Sequence, residues 1–128
     1  MRLLLDTHLL LWAAANSKRL PRTARELLED ETNEVYYSAA SIWEIAIKNS
    51  LGRKDFRVDL ASLQSVLPDM DFIELPVTAA HAAGITKLPL IHRDPFDRLL
   101  IAQSIAEPLT LLTNDSVLGR YRGGVRIV

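Results

Sequence analysis

No cysteine occurs among the 128 residues, which excludes a disulfide framework, a thiolate zinc site and a cysteine nucleophile. That absence fits a reducing compartment. No apolar run reaches the ~20 residues needed to span a bilayer. The opening stretch Met1-Arg2-Leu3-Leu4-Leu5 is broken by Asp6, so it is not expected to act as a secretion signal. An excess of one charge is also missing: 15 Lys and Arg face 16 Asp and Glu, for a formal charge of −1. Such a balance is no signature of a non-specific nucleic-acid coat or a membrane-surface protein, although it leaves room for a local basic rim. With 5 Gly, 6 Pro, no repeat and no low-complexity tract, a disordered tail or collagen-like chain is excluded as well. What is present is a globular composition, 48% apolar and 24% charged. The length suits one hydrophobic core and is too short for two ordinary ones, so residues 1–128 read as a single domain, expected to be cytoplasmic.

Short apolar runs alternate with helical stretches. Leu3 to Leu5 reads as a buried strand that stops at Asp6, and Thr7 to Ala15 as a helix with Asp6 or Thr7 at its cap. Pro21 opens a second helix, Val35 to Tyr37 forms a strand capped onward by Ser38, and Ala39 to Leu51 is a helix stopped by Gly52. Asp59 caps a short helix that Pro68 closes; Asp71 to Leu75 is a weaker strand, and Thr78 to Thr86 a helix of small residues. Asp94-Pro95 opens the clearest helix, running to about Ala106. Leu109 to Thr113 is a fourth strand, Asn114 to Gly119 a short helical piece, and Val125 to Val128 a last strand. Strands apolar on both faces, alternating with helices, predict an α/β fold with a parallel sheet covered on both sides.

In such a sheet, ligands bind beyond the carboxyl ends of the strands. Asp6 ends the first strand, Asp115 follows the fourth by two residues, Glu44 lies early on the helix after the second, and Asp97 lies in the first turn of the Asp94 helix. Each has a plainer reading. Asp6 can simply cap its helix, Asp115 can brace a turn, and Asp97 stands at N3 of a capping-box layout. Glu44 can pair with Lys48 one turn on. However, Ile42, Trp43, Ile45, Ala46 and Ile47 surround Glu44, so its helix is expected to be buried nearly all round, and a buried carboxylate needs a partner or a metal. Together, these acids on one sheet edge would repel one another, and a hard divalent cation is the usual remedy.

The residues resemble the PIN-domain ribonucleases, and among them the VapC-type toxins of toxin-antitoxin systems. The resemblance is carried by Leu3-Leu4-Leu5-Asp6-Thr7-His8 with Trp12, and by Ser41-Ile42-Trp43-Glu44-Ile45. It continues through the long run His92-Arg93-Asp94-Pro95-Phe96-Asp97-Arg98-Leu99-Leu100-Ile101-Ala102-Gln103 and ends in Thr113-Asn114-Asp115. It implies a three-layer α/β/α sandwich with a central parallel sheet of about five strands. It also implies a Mg²⁺- or Mn²⁺-dependent endoribonuclease in which Asp6, Glu44, Asp97 and Asp115 are the catalytic and metal-binding acids, with Asp94 kept as the cap. An RNA substrate, a cognate antitoxin and a homodimer follow from the same resemblance, with no membrane association.

Other residues carry weaker expectations. His8 and His92 read as packing or substrate-side groups and His81 as plain surface. Trp12, Trp43, Tyr36 and Phe72 read as core. Arg53, Lys54 and Arg57 form one basic cluster and Arg120, Arg122 and Arg126 another; either could touch RNA, though a charge cluster is more often a solvated face. Two further readings remain open on sequence alone. A phospho-acceptor receiver domain is disfavoured, because the third strand ends in Glu74-Leu75-Pro76 and no Lys follows the last strand. A non-catalytic RNA-binding or interaction module of the same fold is the alternative.

Overall fold

A computed structural model describes residues 1–121 and 123–128. Five strands, β1 (Arg2–Leu5), β2 (Glu34–Ser38), β3 (Ile73–Leu75), β4 (Thr110–Thr113) and β5 (Val125–Ile127), form one sheet in the order β3-β2-β1-β4-β5. Every pairing is parallel. The connecting helices are α1 (Thr7–Ala14), α2 (Arg22–Glu29), α3 (Ala39–Ser50), α4 (Leu60–Asp69), α5 (Ala79–Gly84) and α6 (Pro95–Ala106). Short 3₁₀ turns follow at Ile85–Lys87 and Leu118–Arg120. Among the described residues no helix is long and apolar enough to cross a membrane.

The period-2 alternation of the strands builds two cores. Leu3, Leu5, Val35, Tyr37 and Leu112 point to one face, where they meet Leu9, Leu10 and Ala13 of α1, Ala24 of α2, and Leu63 and Leu67 of α4. Leu4 and Leu111 point to the other face, against Leu100 and Ile101 of α6 and Leu118. The result is a three-layer α/β/α sandwich around a five-stranded parallel sheet. The central strand β1 is apolar on both faces because helices cover both, whereas edge residues Ile73 and Ile127 stay exposed.

Local chemistry sets most element ends. Asp6, Ser38, Asp59, Thr78 and Asp94 each cap the helix that follows with a side-chain oxygen. Pro68 does not close α4 but lies inside its last turn; the helix ends where Asp71 takes the left-handed conformation at φ 60° and the Phe72 N–H donates back to Leu67 O at 3.1 Å. The segment expected to be one helix from Thr78 divides into α5 and the 3₁₀ turn Ile85–Lys87.

Two expectations are overturned here. Trp43 is not core: it is 59% exposed, and Leu51 is exposed too, so α3 is buried on one side only. An apolar sequence on all sides of a helix does not force burial on all sides when only one face meets the sheet. His81 is not surface: it is 2% exposed. Its Nδ1 accepts from the Thr78 N–H at 3.1 Å, its Nε2 lies 2.5 Å from Glu107 Oε2, and its ring joins α5 to α6.

Candidate metal centre

The strand order reverses at β1, which has β2 on one side and β4 on the other. At such a switch point the connections leave in opposite directions and open a crevice at the carboxyl ends of the strands. Asp6 stands at that point. Its N–H donates to Leu112 O at 3.0 Å, which extends the β1–β4 ladder by one rung. Its Oδ1 caps α1 by accepting from the Leu9 N–H at 2.8 Å, and its Oδ2 accepts from the Thr113 hydroxyl at 2.5 Å. So the cap reading and the site reading of Asp6 describe two oxygens of one carboxylate. Burial pushes its carboxyl above the usual range, against the pull of those two donors.

Glu44 enters from the second turn of α3, after the Ser38 cap, and is 4% exposed. Oε1 accepts from the Thr7 hydroxyl at 2.7 Å and Oε2 from the Lys48 ammonium at 2.7 Å. The helix pair with Lys48 is therefore present, but on a buried carboxylate that faces the crevice. Asp115 follows β4. Its N–H donates to Thr113 Oγ1 at 3.0 Å, and its Oδ1 accepts from the Val117 N–H at 2.9 Å and braces the turn.

Asp97 is the residue most affected by the others. Asp94 caps α6 by accepting from the Phe96 and Asp97 N–H groups at 2.8 and 3.2 Å, with Pro95 at the first helical position. That fixes Asp97 in the first turn, over the crevice. Burial and then the Asp94 carboxylate, with Glu44 and Asp6 adding to it, push the Asp97 carboxyl up to about 7, and His92 opposes them. At neutral pH this side chain is poised between its acid and its anion because it is buried and has other carboxylates beside it.

Asp6, Glu44, Asp97 and Asp115 thus line one cavity of about 260 Å³, together with Thr7, His8, Lys48, His92 and Asp94. His92 belongs to this group more intimately than sequence reasoning allowed. Its Nε2 lies 3.1 Å from Asp97 Oδ2 and 3.4 Å from Asp115 Oδ2. The signal available in the sequence was its place two residues before Asp94, on the same approach to α6. His8, by contrast, is exposed and packs its ring 5.9 Å from that of Trp12.

The donor set fits a hard or borderline divalent cation. Carboxylate oxygens come from β1, α3, α6 and the β4 exit, and ligand atoms of His92, Asp97 and Asp115 all lie within 4.8 Å of one another. Part of the upward push on the Asp97 carboxyl comes from Asp94, Glu44 and Asp6, and a cation in the cavity would offset that part.

A family model described as the PIN domain matches residues 3–124. The chain belongs to the PIN-domain family. Solved structures of like fold include VapBC2 from Rickettsia felis bound to a DNA fragment from its promoter, at 20% identity and TM-score 0.69, covering 99% of this chain and 98% of that one. A toxin-antitoxin complex from Klebsiella pneumoniae is 16% identical at TM-score 0.65, covering 96% and 94%. FitAcB from Neisseria gonorrhoeae is 19% identical at TM-score 0.61, covering 96% and 95%. At these identities the likeness is one of fold. No curated protein matches the chain in sequence.

The basic clusters of this PIN domain lie elsewhere. Arg53 pairs with Asp55 at 3.0 Å on an exposed loop, and Arg57 lines an apolar groove of about 580 Å³ between α1 and α4, beside Trp12 and Leu63. Arg120 and Arg126 are exposed, and Arg122 lies outside the described residues.

Proposed function

We propose that this PIN domain is a metal-dependent endoribonuclease, the toxin of a toxin-antitoxin pair of the VapC type. The observation that carries the reading is the convergence of Asp6, Glu44, Asp97 and Asp115 on one cavity at the sheet's switch point. PIN domains are in general nucleases, and the like folds come from toxin-antitoxin complexes. The Rickettsia felis complex holds DNA, so the choice of RNA rests on the VapC-type resemblance.

Asp6, Glu44, Asp97 and Asp115 would hold Mg²⁺, with Mn²⁺ as an alternative. Bound there, a divalent cation supplies an activated water and offsets charge on the phosphate oxygens. The residues of the chain do the rest. Asp6, both of whose oxygens are held by hydrogen bonds, and Asp97, whose backbone is set by the Asp94 cap, would present carboxylate oxygens to the cation. Glu44, held by Thr7 and Lys48, faces the same space and is placed to orient a water for in-line attack on phosphorus. No histidine base is needed for that step.

The same reading implies a cognate antitoxin and a homodimer, and a cytoplasmic setting for both. The apolar groove between α1 and α4, rimmed by Arg19 and Arg57, offers a seat to an apolar antitoxin segment flanked by acids.

The test is cleavage of total and transfer RNA by wild type and Asp6→Asn, each with Mg²⁺, Mn²⁺ or EDTA. Discrete fragments that need both metal and Asp6 are expected. Cleavage retained by Asp6→Asn would reject the site assignment. Folded protein that binds RNA and never cuts it would favour a non-catalytic RNA-binding module of the same fold.

A further inference from the structure

Gln103 has no part in the roles assigned above, yet it is a fully buried polar side chain on α6, where Leu99, Leu100, Ile101 and Ala102 are buried as well. A buried amide costs free energy unless both its ends are bonded. Here both are. Nε2 donates to Pro76 O at 3.3 Å, and Oε1 accepts from the Ser38 hydroxyl at 2.6 Å. The Pro76 carbonyl can only accept, so it fixes which way the amide faces. Ser38, fully buried too, is committed in the same manner. Its oxygen accepts from the Ala40 N–H at 3.0 Å as the cap of α3, and its proton goes to Gln103.

These bonds tie α6 to the point where β2 turns into α3. A second contact joins the same two helices about two turns nearer the start of α6, where Phe96 packs edge-on against Trp43 of α3 at 5.2 Å. One contact between two rods leaves a hinge, whereas two separated contacts set both their distance and their tilt. Each aromatic stands next to an acid of the cavity: Trp43 precedes Glu44, and Phe96 precedes Asp97. The two contacts therefore bear on the spacing between a carboxylate carried by α3 and one carried by α6. Apolar packing alone tolerates sliding, but a satisfied buried polar network specifies one arrangement.

We infer that Gln103 is a positioning residue for the acid cluster: acting through Ser38, it sets where α3 stands against α6, and so where Glu44 stands against Asp97. Gln103 itself lies outside the cavity. The inference rests on the reading of the acids as a cation site, and the experiment separates the two.

The experiment follows Mn²⁺ binding to the full chain by loss of the free-ion electron paramagnetic resonance signal. Without metal, it also follows the indole N–H resonances of Trp12 and Trp43, the chain's two tryptophans, which Trp12→Phe tells apart. Wild type is compared with Gln103→Met, Ser38→Ala, the double variant, His81→Leu and Asp97→Asn. Gln103→Met keeps the length of the side chain and loses both bonds. It should weaken Mn²⁺ binding about three- to thirtyfold and move the Trp43 resonance while that of Trp12 stays. His81→Leu, destabilised but with Gln103 still bonded to Ser38, should bind Mn²⁺ like wild type. In the Ser38→Ala background, Gln103→Met should weaken binding no further, because the group it acts through is already gone. Unchanged Mn²⁺ affinity in Gln103→Met, with Asp97→Asn still defective, overturns the inference and leaves the cation site standing. An unmoved Trp43 resonance, an equal loss in His81→Leu, or a loss as large in the Ser38→Ala background as alone overturns it too. If Gln103→Met does not fold, Ser38→Ala decides from the other end of the bond: weaker Mn²⁺ binding with a moved Trp43 resonance sustains the inference, and wild-type values of either overturn it. No Mn²⁺ binding by wild type, or undiminished binding by Asp97→Asn, rejects the cation site itself and the inference with it.

Discussion

Thr113 and Asp6 are 107 residues apart, and the Thr113 hydroxyl donates to Asp6 Oδ2 at 2.5 Å. The Thr113 hydroxyl oxygen in turn accepts from the Asp115 N–H at 3.0 Å, so one hydroxyl ties the exits of β1 and β4 together. Thr113→Val removes that donor from a buried carboxylate. Asp6 already has its pKa raised by burial, and the loss raises it further. The variant is expected to lose about 1–3 kcal/mol at pH 7, the usual cost of leaving a buried acceptor unsatisfied. The loss should shrink from pH 7 toward pH 4, because protonation of Asp6 removes the charge that the donor serves. Urea unfolding at the two pH values checks this, and equal losses at both would contradict it.

Asp97 sets a second pH dependence. Its folded-state pKa of about 7 lies above the ordinary carboxylate value of 3.8. A group raised in this sense contributes stability that is fully present below its unfolded pKa and is lost as pH climbs through the folded one. Metal-free wild type should therefore weaken between about pH 4 and pH 7, by roughly 2–4 kcal/mol as an order of magnitude. Asp97→Asn should flatten that slope and exceed wild type in stability at pH 8. An unchanged slope in the variant would show that other groups carry it.

A bound divalent cation should reverse the penalty. Mn²⁺ at 100 times its Kd is expected to add about 2.7 kcal/mol to wild type at pH 8. EDTA should abolish the gain and Asp97→Asn should not show it. Thermal unfolding with and without metal reads both outcomes.

His81 offers a control far from the acids in role. Its ring completes the capping box with Thr78, meets Glu107, and receives the Gln103 amide. His81→Leu should cost about 2–3 kcal/mol, as expected for stranding buried polar partners. Mn²⁺ affinity of the folded variant should equal that of wild type. A fall in affinity would couple α5 to the cation site, which the observed contacts do not suggest.

The acids were legible because their signals are local. Asp6 ends an apolar run and begins a helix, Asp94-Pro95-Phe96-Asp97 carries its own cap chemistry, and β1 reads as buried on both faces from three leucines. The parallel sheet followed from the alternation of such segments. What the sequence did not disclose depends on partners distant along the chain. Trp43 and Ile45 both read as apolar, and only the docking angle of α3 decides that Ile45 is buried while Trp43 packs edge-on against Phe96 at 5.2 Å in view of solvent. His81 looked like a surface residue because Glu107 and Gln103, which satisfy it, lie more than 20 residues away. His92 lay in plain sight beside the motif, but its bridge to Asp115 depends on how the β4 exit folds back.

The place of β1 at the centre of the sheet has a consequence for synthesis. Its partner on one side, β2, follows within 40 residues of the start, but its partner on the other, β4, begins at Thr110. A nascent chain on the ribosome can pair β1 with β2 and pack α1 while the β4 edge of β1 is still bare. Asp6 then waits without Thr113 to hold it, and Asp115 has not yet been made. Any chemistry that needs all four acids is withheld from the growing polypeptide until Asp115 has been made and β4 has paired with β1.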